Sequence, residues 1–401
     1  MISTLLNIVL GIVLVYLSLS VLYLFILSVA GKFFYKKKFP LSTPQKTIAV
    51  FVPAYKEDGV IISTAESMLV LDYPKELYDV YILADSFQPQ TLSALKQLPI
   101  NVLEVAFEKS TKTKALNEGF SRINKQYDIA LICDADNVLA KNFLKKVNNA
   151  FVAGAKAVQG QRIAKNLDSS YAILDACSES INNHIFRRGT NAVGLASAVI
   201  GSGMAFDYNL AKNILKEINA IGGFDKPLQI KIVDQGIRIE YLEDALIFDE
   251  KVDSLGAFKQ QRRRWFSSQF IYMKEYFVPG IKKLFRGNFS YFNLAIANNI
   301  VLPRAYFLFL FALLIPLTYF FAEHWAGYYL IAGLVYVAAL LIAVPPMLIN
   351  KQLLGAILKM PEAIWGMILT TLKIKNANKT FIHTVHTKTE VSNPLYDKVV
   401  D

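Results

Sequence analysis

Cysteine and charge are scarce in this sequence. Only two of its 401 residues are cysteines, Cys133 and Cys177, which is too few for a disulfide framework or a four-thiolate zinc site. Charged residues make up 19% of the chain and apolar residues 54%, a more apolar balance than that of a typical soluble domain. This composition excludes collagen-like, intrinsically disordered and small disulfide-rich secreted proteins. It predicts a chain that is partly embedded in a membrane and partly soluble, with thiols suited to a reducing cytosol.

The sequence also lacks the glycine-rich motifs of two common nucleotide-binding folds. It contains neither G-x-G-x-x-G nor a Walker lysine loop, and no internal repeat, so the dinucleotide-binding and P-loop classes have no support. No metal-ligand spacing links the histidines to one another or to the cysteines, so zinc is not predicted. The histidines are His184, His324, His383 and His386.

Long uncharged apolar runs are present, and three of them can cross a hydrocarbon core of about 30 Å. They extend over Leu5 to Ala30, from about Ala305 to Phe321 and from about Ala326 to Leu348. A secretory signal peptide is the alternative for the first run, but the run is too long and no lysine precedes it.

Lysine and arginine flank these runs on one side only. They follow the first run, precede the second and follow the third, whereas segment 322–325 between the last two runs has neither. Because basic flanks stay in the cytoplasm, the sequence predicts an integral protein of the cytoplasmic (inner) membrane whose large polar segment is cytosolic. The basic flanks comprise Lys32, Lys36, Lys37, Lys38, Lys282, Lys283, Arg286 and Lys351.

Between the first and second apolar runs, short β-rich segments alternate with segments of helical spacing, which is typical of an α/β protein with parallel strands. Strands are predicted at Thr47 to Val52, Val80 to Leu83 and Ile129 to Cys133, and helices at Ser63 to Leu71 and Thr113 to Ile123. The carboxyl ends of parallel strands face the ligand crevice. We therefore expect the polar residues after these strands to form a site.

Two carboxylates, Asp134 and Asp136, follow the third predicted strand. Alternate side chains of an extended chain point the same way, and carboxylates so placed can hold Mg²⁺ or Mn²⁺ and leave coordination positions for a diphosphate. An ordinary strand-end turn is the alternative, since turns favour Asp. Asp85 ends another predicted strand, and Lys112 precedes a helix whose amides can bind an anion; both favour the metal and diphosphate interpretation.

A basic, aromatic helix is predicted around Gln261 and Trp265. Its arginines can lie on anionic headgroups at a membrane interface, or Arg264 can pair with phosphate while Trp265 stacks on a sugar. The two interpretations are compatible. A later apolar segment, Leu353 to Ile374, is interrupted by charge and proline, which favours helices along the interface over a fourth span.

These motifs, in this order, resemble the family-2 inverting glycosyltransferases of the GT-A fold, in particular the membrane-embedded processive cellulose, chitin and hyaluronan synthases. The resemblance runs from about Lys46 to about Phe277, and its most specific element is the Gln-X-X-Arg-Trp motif of residues 261–265. The other segments that carry it are Val52 to Glu57, Asp85, Lys112 to Asn117, Asp134 to Asp136, Gly201 to Phe206 and Gly223 to Asp225.

The resemblance implies an α/β GT-A domain with a mixed, mostly parallel sheet, joined to transmembrane and interfacial helices. It divides the chain into a transmembrane helix at residues 1–31, a cytosolic catalytic domain at 45–253, amphipathic interfacial helices at 254–302, a transmembrane hairpin at 303–349, and an interfacial helix with a cytosolic tail at 350–401. In this tail, Phe381 to Thr387 resemble a family segment that packs near the active site.

It also implies a role for each matched residue. On the donor side, Asp85 would contact the nucleotide base, Asp134 the ribose region and Lys112 the nucleotide, while Arg264 would offset the leaving diphosphate and Asp136 would bind the metal. The acceptor side is assigned to Gln261, Trp265 and Gly203.

The catalytic base implied by the resemblance is Asp225, which precedes Gln261 by 36 residues, as the family base does. Phe224 stands where the family has an acidic residue. The alternative is Asp244, which belongs to a literal Glu-Asp pair but lies only 17 residues before Gln261. Its surroundings predict a strand and a turn, so Asp225 is preferred.

The implied function is transfer, with inversion, of a hexosyl or N-acetylhexosaminyl unit from a UDP-sugar. The leading expectation is a processive enzyme that extends a β-linked polysaccharide and exports it across the lipid bilayer. The rival transfers one sugar to a membrane lipid, as ceramide glucosyltransferase-like enzymes do. Three spans are few for a polymer conduit, which favours the lipid acceptor or a homo-oligomer. An inactive scaffold is disfavoured because every motif carboxylate is present, and no nucleic-acid partner is expected.

Overall fold

An eight-stranded mixed sheet forms the centre of the fold. The computed structural model describes residues 2–36, 39–371 and 386–396. The strands are β1 (Ile48–Tyr55), β2 (Tyr78–Asp85), β3 (Asn101–Val105), β4 (Ile129–Ile132), β5 (Val138–Leu139), β6 (Ala157–Ala164), β7 (Met204–Asp207) and β8 (Glu240–Asp249). Their spatial order is β3-β2-β1-β4-β7-β6-β8-β5.

The strand pairing is mostly parallel. Strands β3, β2, β1 and β4 pair in parallel, as do β6 and β8, whereas β7 is antiparallel to both β4 and β6, and β5 is antiparallel to β8. The α/β class with a mixed, mostly parallel sheet is therefore confirmed.

Helices cover the sheet and continue beyond it. They are α1 (Ile2–Phe33), α2 (Ile61–Leu69), α3 (Pro89–Leu95), α4 (Lys112–Arg122), α5 (Phe143–Val152), α6 (Ser170–Asn183), α7 (Thr190–Ala192), α8 (Tyr208–Lys216), α9 (Asp225–Asp234), α10 (Leu255–Phe285), α11 (Phe289–Phe292), α12 (Asn298–Ile300), α13 (Arg304–Phe321), α14 (Glu323–Ala343), α15 (Lys351–Ile357) and α16 (Met360–Thr371). Two π-helical segments, His184–Gly189 and Asn293–Ala297, join α6 to α7 and α11 to α12.

Apolar side chains bury both faces of the central strands. In β1, Phe51 packs with residues of α4 and α8 on one face, whereas Val50 and Val52 pack with residues of α2 and α5 on the other. All three side chains are fully buried. This burial explains why β1 is a continuous apolar run and not an alternating one.

Three helices, α1, α13 and α14, are long and apolar enough to span a membrane. They pack together through a buried cluster that includes the rings of Phe307, Tyr329 and Tyr336. The Tyr329 hydroxyl also donates a hydrogen bond to the Leu10 carbonyl oxygen of α1 at 2.7 Å. Side chains therefore fill the space where the three helices meet.

Two boundaries differ from the sequence-based expectation. The third apolar run was expected to be helical to about Leu348, but α14 ends at Ala343, because Pro345 and Pro346 follow and the residue before a proline disfavours helix. The segment from Leu353 to Ile374 forms two helices, α15 and α16, up to Thr371; residues 372–374 lie outside the described part.

The π-helical segment after α6 packs closely on α1, and one glycine makes this approach feasible. A Cβ atom at Gly189 would collide with the carbonyl group of Leu27. Gly189→Ala is therefore expected to lower the free energy of unfolding by about 1–3 kcal/mol, the usual cost of overpacking. Gly327→Ala is the matched control, since a Cβ there would meet no atom of the described residues within 4 Å. Thermal unfolding in detergent checks this, and equal melting temperatures for the two variants would contradict it.

Candidate active site

A cavity of about 500 Å³ lies at the carboxyl ends of β1 and β2 and beside the turn that follows β4. The helix α10 and the chain around His386 contribute further walls. The sequence-predicted residues that line this cavity are Asp85, Lys112, Asp134, Asp136, Gln261, Arg264 and Trp265. The fold thus brings together residues that are up to 180 positions apart in the chain.

Three carboxylates in the cavity form a cluster that can hold a metal ion. One oxygen from each of Asp134, Asp136 and Asp249 lies within 4.8 Å of the other two. Asp249 ends β8, whereas β4 ends at Ile132, before the other two aspartates. An extended chain was predicted for Asp134 to Asp136, and this prediction is wrong. The backbone N–H of Asn137 donates to the Asp134 carbonyl oxygen at 3.3 Å and closes a turn. The turn, and not strand alternation, brings the carboxylates together.

Asp136 is buried within this cluster, with 3% of its surface exposed. The Glu250 amide donates to its Oδ2 at 3.0 Å, and Asn137 Nδ2 donates to its Oδ1 at 3.3 Å. Burial raises the pKa of the Asp136 carboxyl; His386 opposes this rise, and Asp249 adds to it. A bound cation favours the ionised carboxylates, and an all-oxygen ligand set suits Mg²⁺ or Mn²⁺. The cluster agrees with the cofactor predicted from the sequence.

Positive charge lies next to this cluster. Lys112, the first residue of α4, forms an ion pair with Asp134, and its Nζ donates to the Gly201 carbonyl oxygen at 2.7 Å. Thr111 caps the same helix by accepting a hydrogen bond from the Lys114 amide. The lysine and the positive end of the helix dipole together favour an anion in this part of the cavity.

Asp85 forms a separate wall at the end of β2. Its carboxylate accepts hydrogen bonds from Ser86 Oγ at 2.9 Å and from Ser110 Oγ at 2.5 Å. The residues that directly follow β1 and β2, Lys56 and Ser86, have φ of 55° and 61°, a left-handed conformation that is costly for non-glycine residues. The Lys56 amide donates to the Asp85 carbonyl oxygen at 3.0 Å. Such backbone strain clusters at functional sites.

The helix α10 brings the Gln-X-X-Arg-Trp segment to the cavity. Gln261, Arg264 and Trp265 line it, and Trp265 remains 38% exposed. The neighbouring Arg262 is buried and forms an ion pair with Asp175 of α6. Its guanidinium lies 4.5 Å from the centroid of the Trp265 ring. An accessible indole held in this way suits contact with the apolar face of a sugar.

Asp225 and Gly203 lie outside the residues that line the cavity. Asp225 is the first residue of α9 and is half-buried. Burial raises the pKa of its carboxyl, whereas the charges of Lys226 and Lys112 oppose this rise, so Asp225 is within electrostatic reach of a cavity residue. Gly203 has φ of 60° and lies against β8, where a Cβ atom would be 3.0 Å from the Ile247 side chain.

The alternative base, Asp244, has a different environment. It is exposed in β8 and forms an ion pair with Lys146 of α5 at 2.8 Å. Like Asp225, it lies outside the cavity lining, so exposure and pairing are what distinguish the two carboxylates. A solvated, paired carboxylate is a weak candidate for a general base.

The described C-terminal segment, residues 386–396, contributes a further wall, and its first two residues belong to the stretch that the resemblance predicted near the active site. His386 lines the cavity, and its Nδ1 lies 3.0 Å and 3.1 Å from the carboxylate oxygens of Glu57. The Lys388 amide donates to the Glu250 carboxylate at 2.9 Å. Residues 381–385 of the segment expected near the active site, including His383, lie outside the described residues.

Asp249 is a cavity residue that was not predicted from the sequence. A signal for it was present, since it follows the apolar run Ala245 to Phe248 as Asp85 follows its own strand. For His386 the resemblance of residues 381–387 predicted a place near the site, but no pattern predicted its contact with Glu57, which lies 329 residues away.

Comparison with known proteins assigns the chain to a family. The model of the glycosyltransferase like family 2 matches residues 44–268, which is more than half of the chain. The protein belongs to this family, and the GT-A fold expected from the sequence is confirmed.

Individual relatives are distant. The chain is 22% identical over 244 residues to "Probable glycosyltransferase YdaM" of Bacillus subtilis, a match that covers 57% of this chain and 56% of that protein. It is 24% identical over 238 residues to the beta-monoglucosyldiacylglycerol synthase of Synechocystis sp., covering 56% of this chain and 48% of that one. The chain thus spans about half the length of the curated relatives it matches.

A solved structure shares the fold over a longer part of the chain. It is the mannosyltransferase PcManGT from Pyrobaculum calidifontis in complex with GDP-Man and Mn²⁺. It is 17% identical and superposes with a TM-score of 0.53, covering 92% of this chain and all of that one. At this identity the likeness shows a common fold.

Proposed function

We propose that this glycosyltransferase moves one hexosyl or N-acetylhexosaminyl unit from a UDP-sugar to a membrane lipid, with inversion at the anomeric carbon. The observation that carries the proposal is the shared cavity of the three-carboxylate cluster and α10, since the chain after α10 leads into the apolar helices α13 and α14. A nucleoside diphosphate can lie at the carboxylates while an acceptor reaches the same cavity from the membrane surface.

In the proposed reaction Asp225 is the general base. It takes the proton of the acceptor hydroxyl while that oxygen forms a bond to C1 of the donor sugar and the bond from C1 to the diphosphate oxygen breaks. Attack opposite the leaving group inverts the anomeric centre. Lys112 and Arg264 supply fixed positive charge near the leaving diphosphate. A divalent cation held by Asp134, Asp136 and Asp249 would supply further positive charge there.

Two features support a lipid acceptor over an exported polymer. Side chains fill the space where α1, α13 and α14 meet, whereas an exported polysaccharide needs a conduit. Apolar residues of α10, including Phe270, Ile271 and Phe277, are exposed, as expected for a helix that lies in a membrane interface. The Synechocystis relative, which is named as a glucosyldiacylglycerol synthase, is consistent with a lipid acceptor.

Processive polysaccharide synthesis with export is the second candidate, and the exposure of Trp265 in the cavity favours it. An accessible indole can hold successive sugar rings without one fixed hydrogen-bond pattern. A homo-oligomer would then have to supply the conduit.

The membrane arrangement is part of the proposal. We place α1 and the α13–α14 hairpin across the cytoplasmic (inner) membrane, the domain at residues 45–253 in the cytosol, and α15 and α16 along the interface. The basic residues that follow α1 and precede α13 support this orientation.

Product size tests the proposed function. The purified protein in lipid nanodiscs is incubated with Mn²⁺ and each of a panel of radiolabelled UDP-sugars, and the products are extracted with organic solvent. We expect label in the organic phase on a lipid that carries one sugar. Label in an ethanol-insoluble product that lengthens with time would support the polymer instead, and no transfer from any nucleotide sugar would contradict both candidates.

Trp265→Ala is expected to reduce sugar transfer roughly tenfold, because loss of the indole removes an apolar surface for the acceptor. Hydrolysis of the donor by water should change less than threefold, since it needs only the contacts to the diphosphate. Trp365→Ala on α16 is the control, because Trp365 is exposed and outside the cavity lining. Equal loss of hydrolysis and transfer in Trp265→Ala would instead assign Trp265 to anchoring α10.

A further inference from the structure

A buried ionic network lies behind the carboxylate cluster. Asp249 Oδ2 accepts a hydrogen bond from Lys251 Nζ at 2.8 Å, and its Oδ1 accepts one from Asn137 Nδ2 at 3.2 Å. Glu179 of α6 binds the same lysine at 3.1 Å and accepts two hydrogen bonds from Arg162, at 2.8 Å and 3.0 Å. Lys251 and Glu179 are 2% and 6% exposed, so solvent hardly screens these charges.

Glu179 and Asp249 share two cations, Lys251 and Arg162. Arg162 Nε lies 3.7 Å from Asp249 Oδ2, farther than it lies from Glu179. Burial alone would raise the pKa of Glu179, but Arg162 and Lys251 hold it below its usual range, so Glu179 is ionised. Without this charge, both cations would pair with Asp249 alone. They would then compete with a divalent ion for its oxygens.

A second buried carboxylate lies one turn earlier on the same face of α6. Asp175 precedes Glu179 by four residues, a spacing that places both on one side of a helix. It pairs with Arg262 of α10, the residue whose guanidinium lies on the Trp265 ring. One face of α6 therefore contacts the metal-binding side of the cavity through Glu179 and the tryptophan side through Asp175.

The start of α13 also contacts α6. Arg304, the first residue of α13, donates to Ser178 Oγ at 2.6 Å and to Asn182 Oδ1 at 2.7 Å. Both acceptors belong to α6. The helix α6 therefore contacts α10 through Asp175, β8 through the ionic network of Glu179, Lys251 and Asp249, and the start of α13 through Ser178.

We infer that Glu179 and Asp175 are positioning residues that act on opposite sides of the reaction. Glu179 keeps Asp249 available as a metal ligand by holding Lys251 and Arg162, and Asp175 keeps Trp265 in place through Arg262. The inference rests on the roles of Asp249 and Trp265 in the proposed function. On this inference α6 sets the position of the donor site relative to the acceptor site.

Matched variants separate these roles. Glu179→Gln and Asp175→Asn each neutralise one buried carboxylate of α6 with little change of shape. With Mn²⁺ alone as the probe, and free Mn²⁺ followed by electron paramagnetic resonance, Glu179→Gln is expected to weaken binding about tenfold or more, as loss of an outer-shell partner does. Asp175→Asn should weaken it less than threefold. In the transfer assay, Asp175→Asn should raise the ratio of donor hydrolysis to transfer, whereas Glu179→Gln should leave that ratio unchanged.

A merely structural role would not produce this split. Equal weakening of Mn²⁺ binding by both variants, with equal loss of melting temperature in the absence of metal, would overturn the inference. If Glu179→Gln does not fold, the double variant Glu179→Gln/Arg187→Gln is used instead. It also removes the positive charge that lies 3.9 Å from Glu179, and so preserves the net charge. The same weakening is expected. A wild-type protein that binds no Mn²⁺ would remove the proposed metal site itself, and the inference with it.

Discussion

Asp136→Asn is expected to reduce sugar transfer at least about a thousandfold while the protein stays folded. The substitution keeps the shape of the side chain but removes the charge of the most enclosed carboxylate in the cluster with Asp134 and Asp249. Weaker cation binding would leave the leaving diphosphate without an offsetting charge. Radiolabel transfer measures the loss, and thermal unfolding shows that the fold persists.

Asp253→Asn provides the control for this experiment. Asp253 lines the same cavity but does not belong to the three-carboxylate cluster, so its substitution should change transfer less than about threefold. Undiminished turnover in excess EDTA, or an Asp136→Asn variant as active as Asp253→Asn, would contradict the metal-dependent reaction.

Asp225→Asn is expected to slow transfer by roughly 10²–10⁴-fold, the usual contribution of a general base. Asparagine cannot take the acceptor proton, yet the donor contacts of Lys112 and Asp134 remain. Affinity for the UDP-sugar, measured by calorimetry, should therefore stay within a few-fold of the wild-type value. The result expected is a variant that binds its donor and does not transfer the sugar.

Asp244→Asn is the matched comparison, because it makes the same substitution in the competing carboxylate. Asp244 is exposed and paired with Lys146, and a surface ion pair contributes at most about 1 kcal/mol. Its variant should retain near-normal transfer. An inactive Asp244→Asn together with an active Asp225→Asn would reverse the assignment of the base.

Local patterns were enough to predict the parts of the site that lie at strand ends. Asp85, Asp134 and Asp136 each follow an apolar run, and a parallel sheet brings the ends of such runs to one edge. The apolar runs themselves predicted β1 and β4 within three residues of their observed ends. Apolar length likewise predicted the three helices that can span a membrane.

Contacts between distant segments could not be predicted in this way. Glu179 looks like an ordinary polar residue of a helix, and only the packing of α6 on β6 and the position of Lys251 just after β8 show that it pairs with Arg162 and Lys251. The sequence left the chain after β4 open between an extended segment and a strand-end turn, and the local bonds of Asn137 to Asp134 and Asp136 form the turn. The bond from Asn137 to Asp249, 112 positions away, is a tertiary interaction with no periodic signal.

In the proposed reaction one sugar passes to a lipid with inversion, and a divalent cation is required. Proton nuclear magnetic resonance of the first product tests it most directly, with wild-type protein in nanodiscs, the donor that the UDP-sugar panel identifies, and samples with and without Mn²⁺. The expected product is a lipid that carries a single sugar, with the anomeric configuration opposite to that of the donor, formed only when Mn²⁺ is present. A product with retained configuration, or the same product formed at the same rate without the metal, would contradict it.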